Sequence, residues 1–235
     1  MKRDQSDTAL SAFIGKHTNE TAGEISPARR ANDDPLIHEL VVSCLAWNAP
    51  RAGVAAALER IHDSLVDYNE LRVAIPKETA GLLGSRYPAA EQRCLRLRSS
   101  LNEIFQRENG LTLSYLRDEN KRTVKSYFES LPGLPAYAVS RVSLLMCEVH
   151  TFPIDSVIRG LFESAGVIDA DCDEPHLAGR LERLIRAGDA AGCFAGLEAA
   201  ALIPVPAKKP ARAASSKKKT TTKKTTTKKS GRKSA

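Results

Sequence analysis

Aromatic residues are scarce in this 235-residue chain, at 5% of the total, and only one of them is tryptophan. Leucine, alanine and valine supply most of the apolar content, a balance that favours packed helices over a β-sandwich. Nowhere does the chain hold about 18 consecutive apolar residues, so we expect no membrane-spanning helix. The N-terminus also lacks the apolar stretch of a secretion signal. These absences favour a helical intracellular protein, and 42% hydrophobic residues suffice for a core.

Cysteine is sparse as well. The five cysteines form no CxxC pair, and their odd number and wide spacing argue against disulfides and against a metal centre. The histidines show no metal-ligand spacing either. We therefore predict no metal site and expect reduced, mostly buried thiols at Cys44, Cys94, Cys147, Cys172 and Cys193.

Positive charge is concentrated at one end of the chain. Residues 207–235 contain 12 of the 35 basic residues and none of the 28 acidic ones, so the rest carries 23 bases against 28 acids. This segment has too little apolar surface to form a core, and we predict a disordered basic tail. If every tail charge engaged duplex DNA, log affinity would fall with log salt at a slope of about −11, as an upper limit. On charge alone, a membrane surface or RNA is an alternative partner.

The tail resembles the lysine-rich tails of linker histones and of some bacterial DNA-binding proteins. That resemblance implies DNA contacts from seven of its ten lysines, namely Lys217, Lys218, Lys219, Lys223, Lys224, Lys228 and Lys229.

The remainder divides into a polar arm and a helical domain. Residues 1–32 are polar and weakly periodic, which predicts a flexible arm with at most a short helix over residues 8–14. Residues 33–206 show apolar residues at three- and four-residue steps, which is typical of amphipathic helices. Asp33 and Asp34 before Pro35 predict the first helix start of this domain. Further prolines predict helix starts, including a helix over residues 153–166.

The most informative stretch is 131–155, LPGLPAYAVSRVSLLMCEVHTFPID. Gly133 between Pro132 and Pro135 predicts a chain reversal, because glycine tolerates a positive φ. Helix-spaced residues lie on both sides, so the unit reads as helix, tight turn, helix. Such a turn presents the N–H groups of its second helix, which can bind a phosphate. An ordinary helix–helix corner is the alternative.

This stretch resembles the helix-hairpin-helix and Gly-Pro-Asp region of the endonuclease III-like DNA glycosylases. Leu131, Pro132, Gly133 and Leu134 match the hairpin, and Asp155 falls where the family's aspartate belongs. A weaker resemblance spans residues 35–166. It implies an all-α glycosylase-like core that binds double-stranded DNA through Leu131, Gly133, Leu134 and Tyr137. It also implies that Asp155 stabilises positive charge on the sugar and activates water. A helix N-cap is a second role for Asp155, compatible with the first.

Three departures from the family pattern shape the expected chemistry. The lyase branch carries its lysine nucleophile where this chain has Tyr137, so no Schiff base is expected there. Neither Lys121 nor Lys125 of the preceding helix is expected in the pocket. Pro135 replaces the second hairpin glycine and removes one N–H. Only Cys172 and Cys193 follow Asp155, so we expect the iron–sulfur cluster of many members to be absent.

Two further features have open interpretations. Trp47 lies near the position where the family fills the gap left by an extruded base, so it either wedges into DNA or packs in the core. A predicted helix after Pro88 carries four arginines that either contact phosphates or form a solvated face: Arg93, Arg96, Arg98 and Arg107.

Two functions fit these observations. One is a monofunctional DNA glycosylase that removes a damaged or mispaired base without strand cleavage, using Asp155. The other is a non-catalytic DNA-binding or compacting protein with an eroded glycosylase fold and a histone-like tail. In either case we expect a monomer in the cytoplasm at the nucleoid, or in the nucleus of a eukaryote.

Overall fold

The computed structural model describes residues 2–18 and 29–202, and their regular structure is helical throughout, with no strand. Short 3₁₀ helices occupy Arg51–Gly53 and Ser114–Arg117. The α-helices are α1 Lys2–His17, α2 Pro35–Ala46, α3 Val54–Ser64, α4 Tyr68–Val73, α5 Pro76–Leu83, α6 Ala90–Glu108, α7 Lys121–Glu129, α8 Ala136–Cys147, α9 Ser156–Ser164, α10 Glu174–Leu184 and α11 Ala187–Ala201. The predicted all-α class is confirmed.

Helix α2 lies at the centre of the core, since every residue from Leu36 to Ala46 is buried. Its start is the predicted one: Pro35 is the first residue, and an Asp34 carboxylate oxygen accepts the Leu36 N–H at 2.8 Å. The other Asp34 oxygen accepts the N–H groups of Leu113 and Ser114. One carboxylate therefore caps the central helix and fixes a distant loop against it.

The helices form two groups that meet at α8. Helices α2 to α8 pack on one another through the pairs α2–α8, α7–α8, α5–α6 and α3–α5. The second group consists of α1, α9, α10 and α11, with α11 in contact with α8. The turn between α7 and α8 and the start of α9 therefore lie close to the junction of the two groups.

The N-terminal segment differs from the prediction. Residues 2–17 form one helix that packs on α10 and α11, with Leu10 and Ile14 buried in the common core. The short helix predicted over residues 8–14 is thus longer than expected, and residues 19–28 of the predicted arm lie outside the described residues. The apolar residues of α1 are few but lie four apart, on one helical face, and docking against α11 stabilises a helix that composition alone does not favour.

The segment before α9 also differs. A helix over residues 153–166 is predicted, but α9 begins only at Ser156, and Asp155 is its N-cap. Residues 150–155 are non-helical, with Phe152 and Ile154 buried. Asp155 therefore combines an N-terminal carboxylate cap with a position deep in the core. No helix of residues 2–18 and 29–202 has the length and apolar character needed to cross a bilayer.

Candidate functional site

The turn between α7 and α8 is fixed against α6 by main-chain contacts. Gly133 has φ of +80°, and a Cβ placed on it would lie 3.2 Å from both Cα and O of Arg96. Ser100 Oγ donates to the Pro132 carbonyl at 2.8 Å, and an Arg96 N–H donates to the Gly133 carbonyl at 3.3 Å. Glycine is thus required twice, by the left-handed backbone and by the close approach of α6.

The N-terminus of α8 follows this turn directly. Pro135 is its N-cap, and no side chain of the described residues caps it. The first-turn N–H groups have no partner within a helix, and the helix dipole places positive potential there. Leu131 is buried and Leu134 is half-buried, so they anchor the turn in the core. The main chain can bind an anion here.

Trp47 stands beside this turn and is half-buried. The guanidinium carbon of Arg96 lies 5.1 Å from its ring centroid, and that of Arg93 lies 5.8 Å away. Arg93 is buried and donates to main-chain carbonyls of Cys44 and Pro88, whereas Arg96 is half-buried. The four arginines of α6 thus differ, with Arg93 in the core and Arg98 and Arg107 exposed.

Asp155 is completely buried and has three hydrogen-bond donors. Its Oδ1 accepts the Ile158 N–H at 2.9 Å and an Arg51 guanidinium N–H at 3.0 Å. Its Oδ2 accepts the Asn48 N–H at 2.7 Å. The Asn48 side chain in turn accepts the N–H of Ser156. Asp155 therefore joins the start of α9 to the segment that follows α2.

Arg51 links Asp155 to a second buried carboxylate. Its Nε lies 2.8 Å from Oε1 of Glu198, and the Tyr137 hydroxyl donates to the same oxygen at 3.1 Å. Burial alone would lower the pKa of Arg51, but Tyr137, Glu198 and Asp155 raise it. Burial raises the pKa of Tyr137 well above its ordinary value, and Glu198 adds to this effect. Arg51 thus stays charged between two carboxylates.

This network bears directly on the predicted chemistry. A carboxylate that stabilises charge on a sugar must approach it closely. Asp155 has 0% exposure, and its charge is balanced by Arg51. Tyr137, at the position of the family's lysine, is also buried and directed to Glu198. In the described conformation these side chains form a structural network. The catalytic role of Asp155 stays a prediction that requires Arg51 to move.

An open groove of about 440 Å³ runs beside the network, between α8, residues 149–154 and α10. Trp47, Tyr137, Ile154 and Glu174 line the part next to Asp155. Burial raises the pKa of Glu174, and the nearby Asp155 charge raises it further. Lys125 also lines the groove, so the expectation that no lysine of the preceding helix reaches it is wrong for this residue. The groove has the size of a small-molecule site.

Sequence reasoning did not identify Arg51 or Glu198. They lie 147 positions apart and meet only through the fold. One signal was present: Arg51 follows Pro50 at a helix start, where the dipole disfavours a cation. A cation in such a position indicates a carboxylate partner.

The structure also forms a cluster that the sequence did not predict. Atoms of Asp33, His38 and His62 that could bind a metal lie within 4.8 Å of one another. The Tyr68 hydroxyl is 2.9 Å from Nδ1 of His38 and 3.1 Å from Nε2 of His62, and Arg30 pairs with Asp33 at 2.9 Å. Because each group already has a partner in the protein, we assign the cluster to a hydrogen-bonded core network.

No protein-family model matches the chain, and the comparison with curated proteins found no match. Solved structures do match. A non-covalent endonuclease III–DNA complex has a TM-score of 0.64 at 12% identity, over 82% of this chain and 84% of that chain. A thermostable thymine-DNA glycosylase has a TM-score of 0.59 at 15% identity, over 89% and 92%. This is the DNA glycosylase fold.

A third structure agrees with these two. The H. pylori 3-methyladenine DNA glycosylase bound to 1,N6-ethenoadenine has a TM-score of 0.59 at 14% identity, over 83% of this chain and 95% of that chain. At such identities the likeness establishes the fold alone. The predicted glycosylase-like core is confirmed. The predicted tail contacts, from Lys217 to Lys229, lie outside the described residues.

Proposed function

We propose that this protein binds double-stranded DNA on a glycosylase fold in which Asp155 is structural. The structural role of Asp155 is inferred from one observation. Its carboxylate is fully buried and accepts hydrogen bonds from three donors, one of them Arg51. Moving it toward a sugar would break an ion pair and leave Glu198 and Arg51 in an altered buried network. A buried ion separated from its partner is strongly destabilised.

DNA binding is supported by the turn and by the tail sequence. The turn holds Gly133 in a left-handed conformation and leads into an α8 N-terminus without a side-chain cap among the described residues. Endonuclease III, which shares the fold, has been solved in complex with DNA. The 12 basic residues from Ala207 onward supply the cationic charge that the acidic remainder lacks. The turn would position the duplex and the tail would supply most of the affinity.

The experiment is a salt titration of duplex binding by fluorescence anisotropy, with the full chain and a chain that ends at Leu202. We expect the full chain to bind with a steep log–log slope, and the shorter chain to bind weakly with a slope shallower by several units, up to about 11. Failure of the full chain to bind at low salt would contradict the proposal. Equal slopes would show that the tail does not contact DNA.

A monofunctional DNA glycosylase is the second candidate, and the groove favours it. The groove opens beside the turn and is lined by Tyr137 and Glu174 close to Asp155. If Arg51 moved, the carboxylate could stabilise the developing positive sugar while water attacks its anomeric carbon. The bond from sugar to base would break, the base would leave with its bonding electrons and accept a proton, and water would supply the hydroxyl. No strand cleavage is expected from the position of the family's lysine, because Tyr137 stands there and offers no amine.

The enzymatic candidate is tested with a panel of duplexes that each contain one damaged or mispaired base. Release of a base by the wild type, lost in Asp155→Asn with unchanged duplex binding, would establish it. Borohydride trapping is the test for lyase chemistry, with Lys125→Ala as the informative variant because Lys125 lines the groove. A trapped complex lost in that variant would overturn the expectation of no strand cleavage.

The remaining features of the proposal follow from the sequence. We propose a monomer that associates with chromosomal DNA, at the nucleoid in the cytoplasm or in a nucleus. No iron–sulfur cluster belongs to the proposal, because Cys172 and Cys193 are the only cysteines after Asp155 and four are needed.

A further inference from the structure

The groove beside the turn is lined by two kinds of side chain, which are cations on one side and aromatic or apolar groups on its wall. Arg96 and the more than half-exposed Lys125 lie at its solvent side, near the turn that we propose to bind DNA. Trp47, Phe152 and Ile154 supply aromatic and apolar wall. Such walls suit a flat ring, which stacks on aromatic faces.

The α10 side of the groove carries hydrogen-bond acceptors. Glu182 Oε1 accepts the Phe152 N–H and the Thr151 hydroxyl, each at 3.0 Å, which fixes this carboxylate against the groove wall. Glu174, at the first position of α10, presents a second carboxylate. Ionised carboxylates only accept hydrogen bonds, so a ligand here must supply donors.

Ser143 is a buried polar residue on the wall of the groove. Its residue is 1% exposed, it lines the groove, and its hydroxyl has no hydrogen-bond partner in the structure. A buried polar group without a partner costs free energy, and such groups in native proteins call for an explanation. Because the hydroxyl oxygen itself is enclosed by protein, it shows the polar character of this wall and not a direct ligand contact.

We propose that this groove receives one unpaired base of bound DNA. Glu174 and Glu182 would select bases with an amino group at purine C6 or pyrimidine C4, which are adenine and cytosine. Adenine and cytosine present an amino donor where thymine presents a carbonyl acceptor. A carboxylate would repel the thymine carbonyl oxygen, whereas the amino group of adenine or cytosine would donate a hydrogen bond to the carboxylate. The cations at the solvent side accommodate the flanking phosphates. The inference rests on the proposed DNA binding and adds the class of base.

The test compares duplexes that differ only in one bulged nucleotide, either adenine, cytosine or thymine, with the fully paired duplex as reference. Fluorescence anisotropy with the full chain gives the four affinities. We expect adenine and cytosine bulges to bind about tenfold more tightly than the thymine bulge, the scale of one charge-assisted hydrogen bond. Glu174→Gln should reduce this preference severalfold, and the exposed Glu119→Gln is the matched control.

A second variant guards against loss of folding. Ala178, on α10, lines the same groove, and Ala178→Leu fills space without removing a polar group. It should remove the bulge preference while the circular dichroism spectrum stays native. Equal affinity for all four duplexes would overturn the inference and leave the proposed DNA binding intact. Absence of any duplex binding would instead refute the proposed function. A preference unchanged in both Glu174→Gln and Ala178→Leu would show that the groove does not select the base.

Discussion

The turn at Gly133 and the carboxylate of Asp155 come from one stretch of 25 residues, yet they differ in what the structure leaves accessible. The turn ends in a helix N-terminus that no side chain of the described residues caps. Asp155 is buried, paired with Arg51 and directed into the core. The comparison shows that two parts of one short stretch can differ in their surroundings: the turn leads into an uncapped helix N-terminus, whereas the carboxylate is enclosed by packed side chains.

Removing Arg51 should have the largest effect on stability, because it changes the surroundings of Asp155. Arg51→Ala leaves Asp155 and Glu198 as buried carboxylates without their shared cation. We expect a loss of about 3–5 kcal/mol in the free energy of unfolding, measured by urea denaturation. Arg98→Ala on the exposed face of α6 is the control and should change it by no more than about 0.5 kcal/mol. A loss at Arg51 as small as that of the control would show that the buried ion pairs do not form.

Gly133→Ala tests the turn. Alanine would have to adopt the left-handed conformation that Gly133 has now. Its Cβ would also lie 3.2 Å from backbone atoms of Arg96. We expect a loss of about 1–3 kcal/mol in stability together with weaker duplex binding at fixed salt. Gly192→Ala is matched to it, because that helical position has open space around it. Unchanged stability and DNA affinity in Gly133→Ala would show that the turn does not contribute to DNA binding.

Tyr137→Phe gives the smallest effect and sharpens the comparison at the position of the family's lysine. The change removes one hydrogen bond, the 3.1 Å contact from the Tyr137 hydroxyl to Glu198, and keeps the packed ring. We expect a loss of about 1 kcal/mol in thermal unfolding experiments and no change in duplex binding. A loss of binding without a loss of stability would place Tyr137 at the DNA instead.

The sequence predicts the helical class, the turn at Gly133 and the Asp34 cap because each rests on local rules that involve neighbouring residues. It also predicts that Asp155 lies near a helix start. It does not predict the surroundings of Asp155, because Asn48, Arg51 and Glu198 reach that site through tertiary packing alone. The docking of helix α1 was missed for the same reason, since Leu10 and Ile14 gain their burial from α10 and α11.

The groove shows the same limit at the candidate site. Glu174 and Glu182 are ordinary polar residues of an amphipathic helix when read along the chain. Their position in one groove with residues of α8 depends on tertiary packing, which no spacing rule specifies. Local patterns therefore located the turn and the motif, whereas the chemistry of the site required the packed structure.

The most direct test of the central claim measures base release and duplex binding side by side for the wild type and Asp155→Asn, over the full panel of modified duplexes. Our account predicts that both proteins bind DNA with similar affinity, that neither releases a base, and that Asp155→Asn unfolds more easily because Arg51 loses a partner. Base release by the wild type that disappears in Asp155→Asn, with binding retained, would contradict it and identify a working glycosylase.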